Sequence, residues 1–193
     1  MEPLKEKYKG EFYITRSVKK EIIDRPFHIK RFKFESIQIK KEIEKGVIKV
    51  YEKDLTTETE ELRNSANRIY FGKKNFLNII DEGELSALAL AHKINADALA
   101  IDERTTRFLI ESPGALKTIF KNKFKTDIRM EQKNLKAFKK MTEGIFVIRS
   151  IELGLIAYEL GLLDTYLQKK DPQSKKDLLD ALLWSMRFKG CSV

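Results

Sequence analysis

The chain has a single cysteine, Cys191, in 193 residues, which excludes an internal disulfide framework and any cysteine-rich zinc site. Histidine is nearly as scarce. His28 and His92 lie far apart and neither has an acidic partner at ligand spacing, so His-ligated zinc and Cys/His nucleophilic catalysis lose their residues. With four prolines and nine glycines there is no flexible linker, no fixed-period repeat and no glycine-rich phosphate loop. The motifs His-Glu-x-x-His and Gly-x-Ser-x-Gly are absent. Apolar runs are short, as in Ile145-Phe146-Val147-Ile148, so no membrane-spanning helix is expected. The residues after Met1 hold no hydrophobic leader segment, and the chain reads as a cytoplasmic protein without membrane contact.

Charge, in contrast, is plentiful. Lys and Arg number 38 against 29 Asp and Glu, for a formal net charge of +9. The excess is uneven: residues 1–53 carry +6, residues 54–112 carry −4, residues 113–145 carry +6 and residues 146–193 carry +1. Basic surfaces attract polyanions through phosphate neutralisation and counterion release. An acidic island between basic flanks is the distribution a metal-dependent nuclease requires, because acids hold a divalent cation while bases hold the phosphate backbone. The same distribution also arises when surface lysines merely keep a protein in solution.

Residues 12–15 (Phe-Tyr-Ile-Thr) read as a strand, and Ser17 reads as the N-cap of a helix carrying Val18, Glu21 and Ile22 that stops before Pro26. The pattern predicts a helix over 32–45 closed by Gly46, a strand over 47–51, and a polar helix over 55–69 ended near Gly72 and Asn75. Asp81 opens a helix that ends near Lys93. Residues 98–102 read as a short buried parallel strand, and Asp102 as the start of a helix that ends before Pro113. Residues 145–148 form another strand candidate, 151–163 an apolar helix with Gly161 near its end, and 169–176 a polar loop around Pro172. A last helical stripe of Leu178, Leu179, Leu182, Leu183 and Met186 belongs to the core or to a homodimer contact, with Gly190 closing it. Alternating strands and helices predict an α/β fold with a mostly parallel sheet. One domain spanning 1–193 fits the length, and the basic segment 113–145 reads as a helical insertion or lid within it.

The carboxylates are the residues best placed for chemistry. Asp102 follows an apolar run at the carboxyl end of a parallel strand, where open α/β sheets bind ligands, although the position also suits a helix cap. Asp81 and Glu84 have the spacing of a capping box. Glu21 lies one turn into a helix, where an acid complements the dipole. Taken singly, each has a structural explanation. Together, Glu21, Glu84 and Asp102 form a set of oxygen donors suited to one hard cation.

Three segments resemble PIN domains. Phe12 to Ile22 resembles the second strand and following helix of that family, with Glu21 at its helical acid. Asp81-Glu82-Gly83-Glu84-Leu85 through Ala91 resembles the "GE-x-x-A-x-x-L-A" segment of prokaryotic PIN-like proteins. Ala96 to Arg104 with Arg107 resembles their "AD-x-L-x-x-D-D/E-R-x-x-R" segment. The resemblance covers about residues 11–112 and 145–192. It implies a mostly parallel central sheet with helices on both faces, and a ribonuclease site in which Mg²⁺ or Mn²⁺ activates water for attack on a phosphodiester. Glu21, Glu84 and Asp102 would be the catalytic ligands, with Glu103 a neighbouring metal candidate. Arg104 and Arg107, with Lys121, Lys123 and Lys125 of the basic segment, would contact RNA. An antitoxin-like protein and a second copy of the chain are the implied partners.

PIN domains open with a strand ending in Asp-Thr-Asn or Asp-Thr-Ser, whereas Asp24 is the first aspartate here, so the family's first strand and its Asp are expected to be missing. That leaves two alternatives to an active nuclease: a catalytically degenerate PIN-like module binding nucleic acid or protein, and an α/β interaction protein whose acids are helix caps.

Overall fold

A computed structural model describes residues 1–167, 169 and 171–188; Gly190 and Cys191 lie outside them. The described residues form a mixed α/β protein, 61% helical, with ten α-helices and short sheets, some of them parallel. No helix among them is long and apolar enough to cross a membrane. The chain resolves into two compact units. The larger comprises Glu11–Leu99 and Glu103–Phe146; the smaller comprises Met1–Gly10, Ala100–Asp102 and the chain from Val147 on.

In the larger unit, β1 (Phe12–Thr15) pairs in parallel with β2 (Ile48–Tyr51), in the register Phe12–Ile48 through Thr15–Tyr51. The crossover contains α2 (Arg16–Lys19), a π-helical turn (Lys20–Asp24), a short 3-10 turn (Pro26–His28) and α3 (Lys33–Glu44). The N-cap of α2 is Thr15 rather than the expected Ser17: Val18 N–H donates to Thr15 Oγ1 at 3.2 Å. A strand can end and a helix begin on one residue when that residue holds extended dihedrals and a side-chain acceptor, as Thr15 does with φ −82° and ψ 167°. Gly46 ends the α3 region at φ +70°, as its position implied.

Helix α4 (Thr56–Ala66) buries Leu62 and Ala66 completely and packs on α5 (Glu82–Lys93) and on α8 (Gln132–Met141). Between α4 and α5 lies a hairpin that the residue pattern did not announce, β3 (Tyr70–Gly72) and β4 (Asn75–Phe76). Its turn is Lys73-Lys74, both at positive φ. Strand β5 (Leu99–Ala100) follows α5 in the chain, and β6 (Arg129–Met130) pairs antiparallel with β3, giving the order β4-β3-β6.

The basic stretch 113–145 holds α7 (Pro113–Phe124), β6 and α8. It also supplies buried Leu116, Phe120, Ile128, Leu135 and Phe138. These pack in the same unit as Leu62, Ile69, Tyr70, Leu85, Leu88 and Leu109, so its lysines ride on elements that build the core. Truncating one of its fully buried large residues, Phe138, is expected to cost about 3–5 kcal/mol.

The smaller unit holds α1 (Glu2–Tyr8), β7 (Val147–Ile148), α9 (Ser150–Glu159) and α10 (Pro172–Phe188). Ile101 N–H donates to Ile148 O at 2.9 Å, tying Ala100–Asp102 to β7. The expected loop over 169–176 gives way to helix at Pro172. Asp171 accepts from Ser174 N–H at 2.9 Å and from its hydroxyl at 3.0 Å, and proline suits the first helical turn. The stripe Leu178 to Met186 is half-buried, and α10 packs on α9. Gly154 permits a close approach, because a Cβ there would fall 2.5 Å from Met186 Cε.

Candidate functional site

Four acids of the larger unit, Glu21, Asp81, Glu84 and Glu103, act on one another near the start of α5, and hydrogen bonds from Asn67, Thr15 and Ser86 hold that start in place. Asn67, at the end of α4, accepts through Oδ1 from Ile79 N–H (2.7 Å) and Ile80 N–H (3.0 Å) and donates through Nδ2 to Ile80 O (3.2 Å). The chain entering Asp81 is thereby clamped. Thr15, at the end of β1, shares a buried 2.7 Å hydrogen bond with Ser86, and the Ser86 hydroxyl lies 2.9 Å from Gly83 O. The side chain that caps α2 is thus also the one that docks β1 onto α5.

Glu21 sits in the π-helical turn that continues α2, an irregularity that re-aims side chains and recurs at functional sites. Its carboxylate lies against Gly83 so closely that a Cβ there would fall 2.4 Å from Glu21 Oε2. Glu84 is the next residue. Its Oε2 is buried and has no hydrogen-bond partner among the described residues. Asp81 is the N-cap of α5 but makes no side-chain cap hydrogen bond, so the capping box predicted from the Asp81–Glu84 spacing does not form.

The electrostatics follow from this placement. The Glu84 carboxyl is raised above the ordinary carboxylate value, chiefly by burial and further by the charges of Glu21, Asp81 and Glu103, against one lowering hydrogen bond from its own backbone. Glu82, one residue from Asp81, is neutralised by an ion pair with Arg63. No such pair serves Glu21, Asp81, Glu84 or Glu103 among the described residues. Buried or crowded carboxylates that share a site without a counter-ion repel one another and bind protons or cations more avidly.

Glu103 has a second task. It is the N-cap of α6 (Arg104–Glu111), where Oε1 accepts from Thr105 N–H at 2.8 Å and Oε2 from Thr106 N–H at 2.6 Å. Desolvation pushes its carboxyl up, but these hydrogen bonds outweigh it and leave the group below its usual value. The helix cap expected at Asp102 is therefore one residue further on. Asp102 belongs to the smaller unit, where it accepts from Ser150 N–H at 3.0 Å and from the Ser150 hydroxyl at 2.6 Å, at the start of α9. Of the predicted acids, the larger unit brings together Glu21, Glu84 and Glu103 and adds Asp81.

The predicted phosphate contacts are dispersed. Arg104 and Arg107 both lie against the Phe108 ring, at 5.3 and 6.0 Å from its centroid. Lys121 pairs with Asp127 at 3.6 Å, Lys123 lies 5.7 Å from the Phe124 ring, and Lys125 occupies the left-handed C-cap of α7 at φ 48°. The residues that sequence reasoning missed are Asn67, Thr15, Ser86 and Gly83, which position the acids. Only Gly83 had a local signal, a glycine between two glutamates in a helix.

Hard divalent cations take oxygen ligands. The partnerless buried Glu84 Oε2 and the adjacent Glu21 carboxylate are donors of that kind, so the residues present fit such an ion chemically. Among the described residues no group of three or more His, Cys, Asp or Glu side chains is arranged to hold a metal. No protein-family model, curated protein or solved structure matches the chain.

Proposed function

We propose that this chain is a PIN-like, divalent-cation-dependent ribonuclease, with the mostly parallel central sheet and flanking helices of that fold class. The observation that carries the reading is Glu84, whose buried Oε2 lacks a partner while Glu21, Asp81 and Glu103 crowd its charge. Glu84 and Glu21 would hold Mg²⁺ or Mn²⁺, which when bound polarises phosphate and supplies an activated water. Asp81 and Glu103 add negative potential at the same helix start. Gly83 leaves space for the Glu21 carboxylate. The expectation of a ligand role for Asp102 comes from the resemblance alone. The basic surface would hold the phosphodiester backbone, and an antitoxin-like protein or a second copy of the chain would be the macromolecular partner.

The test is cleavage of single-stranded RNA with Mn²⁺, comparing the parent with Glu84→Gln, Glu21→Gln and Asp102→Asn. The reading expects cleavage that chelator abolishes and that Glu84→Gln lowers by at least about a hundredfold, the scale for losing an electrostatic contact to the reacting group. Cleavage that survives chelator, or is equal in all four proteins, overturns it.

A second reading is favoured by a specific observation. Both oxygens of Glu103 are engaged by helix N–H groups, and both oxygens of Asp102 by Ser150. Carboxylates so occupied serve architecture, as in a PIN-like module that binds RNA without cleaving it. Chelator-insensitive RNA binding with no cleavage under Mn²⁺ would select this second reading.

A further inference from the structure

The hairpin between α4 and α5 carries chemistry that the acidic site does not use. In the order β4-β3-β6, Phe76 is the partner of Phe71, and Phe71 is the partner of Arg129. Directly opposed residues share a face, so one aromatic–aromatic–guanidinium row crosses three strands, a width of roughly 10 Å at ordinary strand spacing. The contacts agree: the Phe71 and Phe76 rings meet edge to face at 5.2 Å, and the Arg129 guanidinium lies 5.3 Å from the Phe71 centroid. Phe76 is 44% exposed, a large open ring on a two-residue strand. At the hairpin tip Lys73 reaches the Phe124 ring at the end of α7 (5.7 Å), and Lys123 approaches that ring from its own helix (5.7 Å).

Lys73, Lys74, Lys123 and Arg129 have no ion pair among the described residues; of the two acids within two residues of Arg129, Asp127 is turned to Lys121 and Glu131 is the N-cap of α8. Lys73 and Lys74 both sit at positive φ, 50° and 77°, where glycine or asparagine is the usual choice. Two lysines in strained positions at the tip of a short hairpin cost backbone energy and present two cations together. The Phe71–Phe76 pair needs no such charge to pack, so core formation does not explain the combination.

We propose that this hairpin, with the end of α7, is a binding platform for single-stranded RNA: bases stack on Phe76 and on the outer face of Arg129, while Lys73, Lys74 and Lys123 contact phosphates. Unpaired bases offer the faces that aromatic and guanidinium planes stack on, and duplexes hide them. An acidic protein segment would use the cations but gain little from the open ring. The inference rests on RNA as the ligand in the proposed function and is independent of catalysis.

The experiment is fluorescence anisotropy of a labelled oligouridine in the presence of chelator, across a salt titration, with far-ultraviolet circular dichroism to confirm folding. Phe76→Ala is expected to weaken binding by about fivefold or more with the salt slope unchanged, while Phe76→Tyr keeps parent affinity. Lys73→Asn with Lys74→Asn, chosen because asparagine tolerates positive φ, is expected to lower the salt slope by about one to two. Equal affinity of Phe76→Ala and parent overturns the platform, as does equally tight binding of duplex RNA or of polyglutamate. A parent that binds oligouridine but cleaves nothing with Mn²⁺ supports the platform and removes only the nuclease reading. A parent that fails to bind overturns the platform whatever cleavage shows.

Discussion

Gly83 and Glu21 are packed so that the glutamate carboxylate fills the space a Gly83 side chain would need, with Oε2 2.4 Å from an ideal Cβ position. The contact joins a π-helical turn to the first turn of α5, 62 residues apart in the chain. It places two carboxylates, those of Glu21 and Glu84, at one helix start.

Gly83→Ala separates site geometry from stability. A methyl group there meets the mobile end of a side chain, so Glu21 swings away at small cost, and alanine is intrinsically the better helix former by about 1 kcal/mol. The variant is expected to melt at or slightly above the parent temperature in chelator, and to gain less from added Mn²⁺. Differential scanning fluorimetry with and without the ion measures both effects.

The Glu84 carboxyl predicts a pH dependence whose sign can be worked out. Its folded value is raised, so between the ordinary carboxylate value and the raised one the folded protein binds more protons than the unfolded chain. Stability therefore falls as pH rises through that window and recovers as pH is lowered back through it. In metal-free buffer Glu84→Gln is expected to flatten this part of the profile and to raise the melting temperature at neutral pH. Glu103 works in the opposite direction: its lowered value gives stability that is present at neutral pH and lost as pH falls through the folded value. Melting curves of the parent, Glu84→Gln and Glu103→Gln across the acid range distinguish the two groups.

Thr15 joins two elements through one hydroxyl, capping α2 and bonding Ser86 while only 2% exposed. Thr15→Val keeps the shape and removes both hydrogen bonds, for an expected loss of about 1–2 kcal/mol in chemical denaturation. Ser86→Ala removes one of the two. The pair should be non-additive in a double-mutant cycle, because the Thr15–Ser86 bond can be lost only once.

Asn67→Ala tests the clamp on the approach to Asp81. Three hydrogen bonds to the 79–80 backbone disappear and leave two N–H groups without their acceptor. The expected loss is about 2–4 kcal/mol, with hydrogen exchange at Ile79 and Ile80 accelerated more than at α8.

What could be read from residues alone was mostly local. Phe12–Thr15, the Gly46 stop, the α5 start at Asp81 and the α6 end before Pro113 follow from propensity, caps and breakers, and they hold. Caps were displaced by one or two residues, Thr15 for Ser17 and Glu103 for Asp102, because neighbouring residues of similar capping chemistry compete and tertiary contacts choose between them. The β3–β4 hairpin leaves no local signal because its turn is Lys-Lys, without glycine or asparagine at the positive-φ positions. Pro172 read as a loop signal although it opens a helix. For the site, Glu21, Glu84 and Glu103 were legible as acids near helix starts. Asn67, Ser86 and the room that Gly83 leaves for the Glu21 carboxylate are not, since their roles exist only once distant segments meet.

Binding of a hard cation by Glu84 and Glu21 is measured by calorimetric titration of the chelator-stripped protein with Mn²⁺. The parent is expected to bind, with Glu84→Gln and Glu21→Gln each weaker by about tenfold or more. A parent that takes up no Mn²⁺, or takes it up no more tightly than Glu84→Gln, would show that these two carboxylates hold no cation.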